Sequence, residues 1–137
     1  MKATARRQRP DGYAHTVEIG DHELTIDEPL DQDGDDAGPT PQELLAASLA
    51  GCTAITIEMY AKRKGWDLPN VEVEAEYEQS DRGATTKFTL TIRLPEGLSD
   101  EQIERLSVIG AKCPVHRTLD GDVIFEELIE TAPPASS

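Results

Sequence analysis

The run Thr40-Pro41-Gln42-Glu43-Leu44-Leu45-Ala46-Ala47-Ser48-Leu49-Ala50-Gly51-Cys52-Thr53-Ala54-Ile55-Thr56-Ile57 decides the fold. It opens with the signals of a helix start. A threonine hydroxyl can accept one of the first unpaired backbone N–H groups. Glutamate three residues later can reach back to the threonine N–H, and proline at the first helical position has no N–H to leave unpaired. From Leu44 to Ile57 no residue is charged. The pattern predicts a helix to about Lys64, stopped by Gly65. Being apolar almost all round, it is expected to be a buried central helix and not an amphipathic surface one. Ala46, Ala47, Ala50, Gly51 and Ala54 are small enough to let another backbone approach closely.

On either side of this helix the chain reads as strands. Tyr13 to Ile19 and His22 to Asp27 predict a hairpin, because Gly20-Asp21 suits the positive φ of a two-residue turn. Val71 to Glu78 and Lys87 to Leu94 alternate apolar and polar residues, so each is a strand with one buried face, and Asp81-Arg82-Gly83 turns between them. Glu72, Glu74, Glu76 and Glu78 then form a solvated face. Ser99-Asp100-Glu101-Gln102 is a second capping box, starting a helix that carries Ile103, Leu106, Val108 and Ile109 toward Gly110. Val123 to Glu130 is expected to close the domain as a last strand, with Thr131 to Ser137 a disordered tail. The class is α+β, in a single domain over residues 1–130.

Composition narrows the partners. The chain has 137 residues, 27 acidic and 13 basic, for a net charge of −14. That size supports one core, and that charge argues against nucleic acid or an anionic membrane surface as a partner. It suits solubility, as in a high-salt cytoplasm. The N-terminus lacks the apolar core of a signal peptide, and the charge-free run is shorter than the ~20 residues of a membrane span. A soluble cytoplasmic protein is the expectation. The acidic loop Asp27 to Pro39 has Asp31, Asp33 and Asp35 at a calcium-loop spacing. However, its glycine comes two positions early and Gln42 stands where the closing glutamate belongs, so a solvated loop is expected.

The chain has two cysteines, Cys52 in the helical run and Cys113 at the head of Cys113-Pro114-Val115-His116-Arg117. In a reducing compartment such a pair is a reactive dithiol or two core thiols more readily than a permanent staple. Only the thiolate is a nucleophile. Cys113, just before a proline that suits a short helix, would face backbone N–H groups, with His116 and Arg117 within a turn. Cys52, mid-helix among apolar groups, needs a cationic or hydrogen-bonding partner from elsewhere if it is to react. A zinc site from Cys52, Cys113 and His116 has too few ligands at too loose a spacing, so neither metal nor cofactor is expected.

Gly38-Pro39-Thr40-Pro41-Gln42-Glu43-Leu44-Leu45, then Ala50-Gly51-Cys52-Thr53, then Cys113-Pro114-Val115 about sixty residues later, resembles the OsmC/Ohr family of osmotically inducible and organic hydroperoxide resistance proteins. The resemblance runs from the first hairpin to the last strand. It implies an intertwined homodimer with two long central helices packed together and wrapped by antiparallel sheets. It also implies thiol peroxidase chemistry on organic hydroperoxides, with Cys52 the peroxidatic thiol, Cys113 the resolving thiol and a dithiol as reductant. Leu45, Leu49 and Ile55 would offer apolar walls to the substrate. The peroxidase members carry a glutamate ten residues before the first cysteine, paired with an arginine. Here that position is Gln42, and the acid follows at Glu43. The loop before the helix has no arginine, which leaves Arg9, or else Arg6 or Arg7. These departures resemble the broader OsmC-like subgroup.

Helix geometry adds a constraint of its own. Ten residues of helix rise ~15 Å, so Gln42 or Glu43 can support Cys52 only from an antiparallel partner helix. The plainer readings are that Cys52 is an inert core thiol, that Glu43 serves only the capping box, and that His116 is a helix-start residue. Two rival functions follow: a non-catalytic module holding a hydrophobic small molecule at the dimer interface, and a thiol-disulfide or persulfide redox protein.

Overall fold

A computed structural model describes residues 1–131. The first capping box forms as read: the Glu43 N–H donates to Thr40 Oγ1 at 3.1 Å, and the Thr40 N–H donates to Glu43 Oε1 at 2.9 Å. From it helix α1 runs over Pro41–Lys64 and ends at Gly65, whose φ of 72° is left-handed, a state glycine enters without steric cost. Lys62, Arg63 and Lys64 occupy the last turn, where cations meet the negative end of the helix dipole.

Before α1 lies an antiparallel sheet in the order β1 (Thr4–Arg7), β2 (His15–Ile19), β3 (His22–Ile26). The β2–β3 hairpin turns at Gly20, whose φ is 60°. β1 was not expected, because Thr4-Ala5-Arg6-Arg7 has no apolar alternation; it pairs along an open edge of β2 and is tied there by Arg6 to Glu18 at 2.7 Å. After α1, β4 (Glu72–Glu76) and β5 (Thr89–Arg93) form the expected antiparallel pair. Val73 faces Ile92 and Ala75 faces Leu90 across it. Arg93 bonds Glu72 at 3.1 Å on the solvent side. Helix α2 (Asp100–Gly110) starts at the Ser99–Gln102 box, and a short helix α3 (Pro114–Asp120) follows with Cys113 at its cap.

The core lies along one side of α1. Leu49, Thr53, Ile57 and Ala61 are its buried residues, four apart and therefore on a single stripe. Ile57, Ala61 and Leu106 make a buried cluster ringed by Trp66, Val71, Ile92 and Leu94. The helix packs on β4, α2 and α3. Gly110 permits this contact, since a Cβ there would lie 3.1 Å from Ile57 Cδ1.

Two expectations are corrected. First, α1 is not buried all round: Ile55 and Met59 are 56% and 58% exposed, because one chain supplies packing elements to one side of it only. By length and composition α1 would also suffice to cross a membrane, its most apolar window having a mean hydropathy of 1.5; a window that admits a few charges is longer than the charge-free run. Second, residues 123–130 form no strand. They pair with neither sheet, and Ile124, Phe125, Leu128 and Ile129 stand almost fully exposed. A strand needs an open edge to pair with, and within the chain this segment meets none. Of the predicted tail, Thr131 is irregular and residues 132–137 lie outside those described.

The acidic loop folds around Asp27, which is 2% exposed. Its carboxylate accepts N–H groups from Glu28 at 2.8 Å, Asp35 at 3.2 Å and Ala37 at 3.1 Å. These bonds, Ala37's foremost, hold the carboxyl below its usual range. Among the described residues no three His, Cys, Asp or Glu side chains converge as a metal site.

Candidate active site

The two cysteines lie sixty-one positions apart in sequence and are neighbours in space. Helix α1 carries Cys52 at mid-length, and the α2–α3 junction folds back on it and delivers Cys113. Both are free thiols, Cys52 partly exposed and Cys113 buried. Proline at the first position of α3 and Cys113 at its cap place the sulfur among the helix's unpaired N–H groups. The His116 N–H donates to Cys113 Sγ at 3.3 Å, and the Thr53 hydroxyl lies 3.7 Å from the same atom.

Burial pushes the Cys52 thiol up from its ordinary pKa. The Val115 N–H opposes the rise, Cys113 adds to it, and the Thr56 hydroxyl opposes it. No cation is among these groups. Among the described residues the single chain therefore brings the thiols together and supplies hydrogen-bond donors, but no positive charge beside Cys52.

A cavity of about 500 Å³ lies on the same side of the fold, and neither cysteine is among the residues that line it. Its wall includes Leu49, one turn before Cys52, and His116, whose amide holds Cys113. Leu45, Tyr77, Phe88 and Leu90 make the apolar side, the two aromatic rings stacking at 4.6 Å between centroids. Of the three residues expected as apolar walls, Leu45 and Leu49 line this space, whereas Ile55 lies on the exposed face of α1.

The remaining candidates gather at the other end of α1. Glu43 is engaged in the capping box, and the Thr40 N–H holds its carboxyl below the usual range. Gln42 lies in the same first turn, its carbonyl accepting the Tyr77 hydroxyl at 3.0 Å. Arg9 is paired with Asp35 and, at 3.2 Å, with Asp11. Asp35 belongs to the loop folded on Asp27, and the Asp27 N–H donates to the Pro39 carbonyl just before α1. Gln42 and Glu43 thus sit in the first turn of α1 and Arg9 is tied to the loop that leads into it, with no bond between Arg9 and either residue among the described residues; none of the three is among the groups that act on the Cys52 thiol. The backbone N–H groups expected to face Cys113 at the head of α3 are there, His116 supplying one; Thr53 as a partner of Cys113 and Val115 as a partner of Cys52 were not singled out. A lone threonine on another element has no sequence signature as a thiol partner.

An α+β frame of antiparallel sheets on one long helix that carries one of two neighbouring free thiols defines the class. The chain belongs to the OsmC-like protein family, whose model matches residues 34–127. An uncharacterized protein of Haloferax volcanii is 27% identical over 111 residues, 80% of each chain. Among solved structures, an OsmC-like protein from Mycoplasma pneumoniae superposes with a TM-score of 0.73 at 21% identity, over 88% of this chain and 86% of that one. An organic hydroperoxide resistance protein OsmC from Legionella pneumophila gives 0.65 at 24% identity, over 88% of each.

Proposed function

We propose that this chain is a cytoplasmic, thiol-dependent peroxidase that reduces organic hydroperoxides, working as a homodimer. The observation that carries the reading is the meeting of two free thiols in the fold, with a cavity that has one apolar side reached through Leu49 and His116. The Cys52 thiolate attacks the distal oxygen of ROOH. The O–O bond breaks, the alkoxide leaves and takes a proton to become the alcohol, and Cys52 becomes a sulfenic acid. Cys113 then displaces hydroxide from Cys52 to form a disulfide, which a dithiol reductant reopens. The apolar cavity side favours a substrate with a hydrocarbon body over hydrogen peroxide.

The missing charge is supplied by a second copy. Two α1 helices packed antiparallel through their exposed faces bring the first turn of one copy, with Gln42 and Glu43 and the nearby loop that holds Arg9, to the thiols of the other. Within one copy the ~15 Å rise from Gln42 to Cys52 forbids it. Gln42 can hydrogen-bond Arg9 without neutralising it. In support, Gly51, one residue before Cys52, faces open space.

A second reading draws on the raised thiol pKa. With no cation at Cys52, the same cavity serves as a binding site for a hydrophobic small molecule. One experiment separates the two. Wild type, Cys52→Ser and Cys113→Ser are each treated with stoichiometric cumene hydroperoxide or hydrogen peroxide and followed by thiol titration and intact mass. The peroxidase loses both thiols and two protons, faster with the organic oxidant, and Cys52→Ser blocks the reaction. Thiols that persist in the folded protein eliminate the peroxidase and leave the binder.

A further inference from the structure

Thr53 follows Cys52 on α1, yet it is only 2% exposed. A threonine inside a helix commonly bonds back to the carbonyl one turn earlier. Here the hydroxyl's hydrogen-bond partner among the described residues is Cys113 Sγ, at 3.7 Å. The His116 N–H approaches the same sulfur at 3.3 Å, and Cys113 has no exposed surface. The buried sulfur is therefore clamped between a side chain of α1 and the backbone of α3. The α1 half of the clamp is the residue next to Cys52.

We infer that Thr53 is a positioning residue: its hydroxyl holds Cys113 Sγ against Cys52 and sets the rate at which the disulfide closes. The inference rests on the dithiol reading above. In the closing step the electron pair of the Cys113 thiolate forms the S–S bond, the S–O bond of the Cys52 sulfenic acid breaks, and the departing hydroxide takes a proton to become water. The organic hydroperoxide is the oxidant that made the sulfenic acid. A hydroxyl suits both states of the resolving sulfur, because its hydrogen rotates freely. It accepts from the S–H of the thiol and donates to the thiolate, while the His116 N–H donates from the other side.

Thr53→Val keeps the shape and removes the hydrogen bond; Thr53→Ser keeps the hydroxyl. With cumene hydroperoxide and dimedone as a sulfenic acid trap, Thr53→Val oxidises Cys52 at the wild-type rate. Its disulfide closes about tenfold more slowly, the cost of one hydrogen bond to a charged group, so trapped Cys52 accumulates; Thr53→Ser restores closure. Closure at the wild-type rate in Thr53→Val overturns the inference. A second measurement needs no peroxide. In a Cys52→Ser background Cys113 is the only thiol, and its Raman S–H band shifts to higher wavenumber in Thr53→Val and returns in Thr53→Ser. An unmoved band overturns the hydrogen bond itself. Should both thiols of wild type persist under the peroxide, the peroxidase reading falls and the closing step with it, while the Raman band still decides whether Thr53 holds the sulfur.

Discussion

At the scale of single residues the open question is the charge on Cys52. Within one chain, burial raises its pKa above the ordinary thiol range, and the N–H and hydroxyl groups around it do not cancel that rise. A thiol with a raised pKa holds little thiolate at neutral pH, so the rate climbs with pH until the thiol titrates. A guanidinium within about 4–6 Å works the other way, favouring the thiolate by about one to three pKa units. In the proposed dimer Arg9 of the second copy has that role. Arg9→Ala is then expected to move the midpoint of the pH–rate profile of Cys52 upward and to lower its reactivity at neutral pH about tenfold. The check is the second-order rate with cumene hydroperoxide in a Cys113→Ser background. An unmoved midpoint removes Arg9 from the site.

At the scale of elements, the acidic loop governs where α1 begins. A Cβ on Gly38 would fall 2.1 Å from the Thr25 carbonyl oxygen, so the loop crosses β3 at a distance only glycine allows. Gly38→Ala forces either the loop or β3 to shift and is expected to cost about 1–3 kcal/mol, read as a lower urea midpoint with an unchanged slope. Asp27 adds a pH dependence. Its carboxyl is depressed in the fold, so its contribution to stability is full above the ordinary carboxylate value of ~3.9 and is lost as pH falls through the lower folded value. Asp27→Asn is expected to lower the melting temperature at neutral pH and to flatten the acid limb of the Tm–pH curve. An acid limb as steep as wild type would show that Asp27 carries none of that dependence.

Elements with a local cause were legible in the sequence. Both capping boxes, the Gly65 stop, the hairpin at Gly20 and the alternating strands depend on residues within a few positions of one another. The two cysteines were legible as a pair by residue type, and the family resemblance implied that they meet; their clamp was not legible, because it arises where the α2–α3 junction meets α1. β1 was missed because its partner, not its own pattern, makes it a strand. The last strand and the all-round burial of α1 were over-read for one shared reason: apolar residues say that a surface is to be covered, not by which chain.

At the scale of the whole molecule that uncovered surface becomes a prediction. Ile55 and Met59 on α1, together with Phe125 and Ile129 beyond α3, lie more than half exposed. A soluble monomer rarely leaves large contiguous apolar patches in water. A second copy packed against these surfaces buries the outer face of α1 and gives the segment after Asp120 a surface to lie on. The charge of −14 on each chain opposes this association, since two strongly acidic copies repel one another. Apolar burial must therefore outweigh a repulsion that salt screens within about 10 Å at 0.1 M ionic strength. The dimer is expected to tighten as salt rises, the reverse of an assembly held by opposite charges. Sedimentation equilibrium over a range of potassium chloride concentrations measures this. Met59→Glu, which places a charge in the contact, is expected to yield a folded monomer with Cys113 still beside Cys52 but with slow peroxide turnover, because the Arg9 group of a second copy no longer reaches the thiol. A wild-type chain that sediments as a monomer at every salt concentration would remove the dimer, and a monomeric Met59→Glu with undiminished turnover would show that the site is complete within one chain.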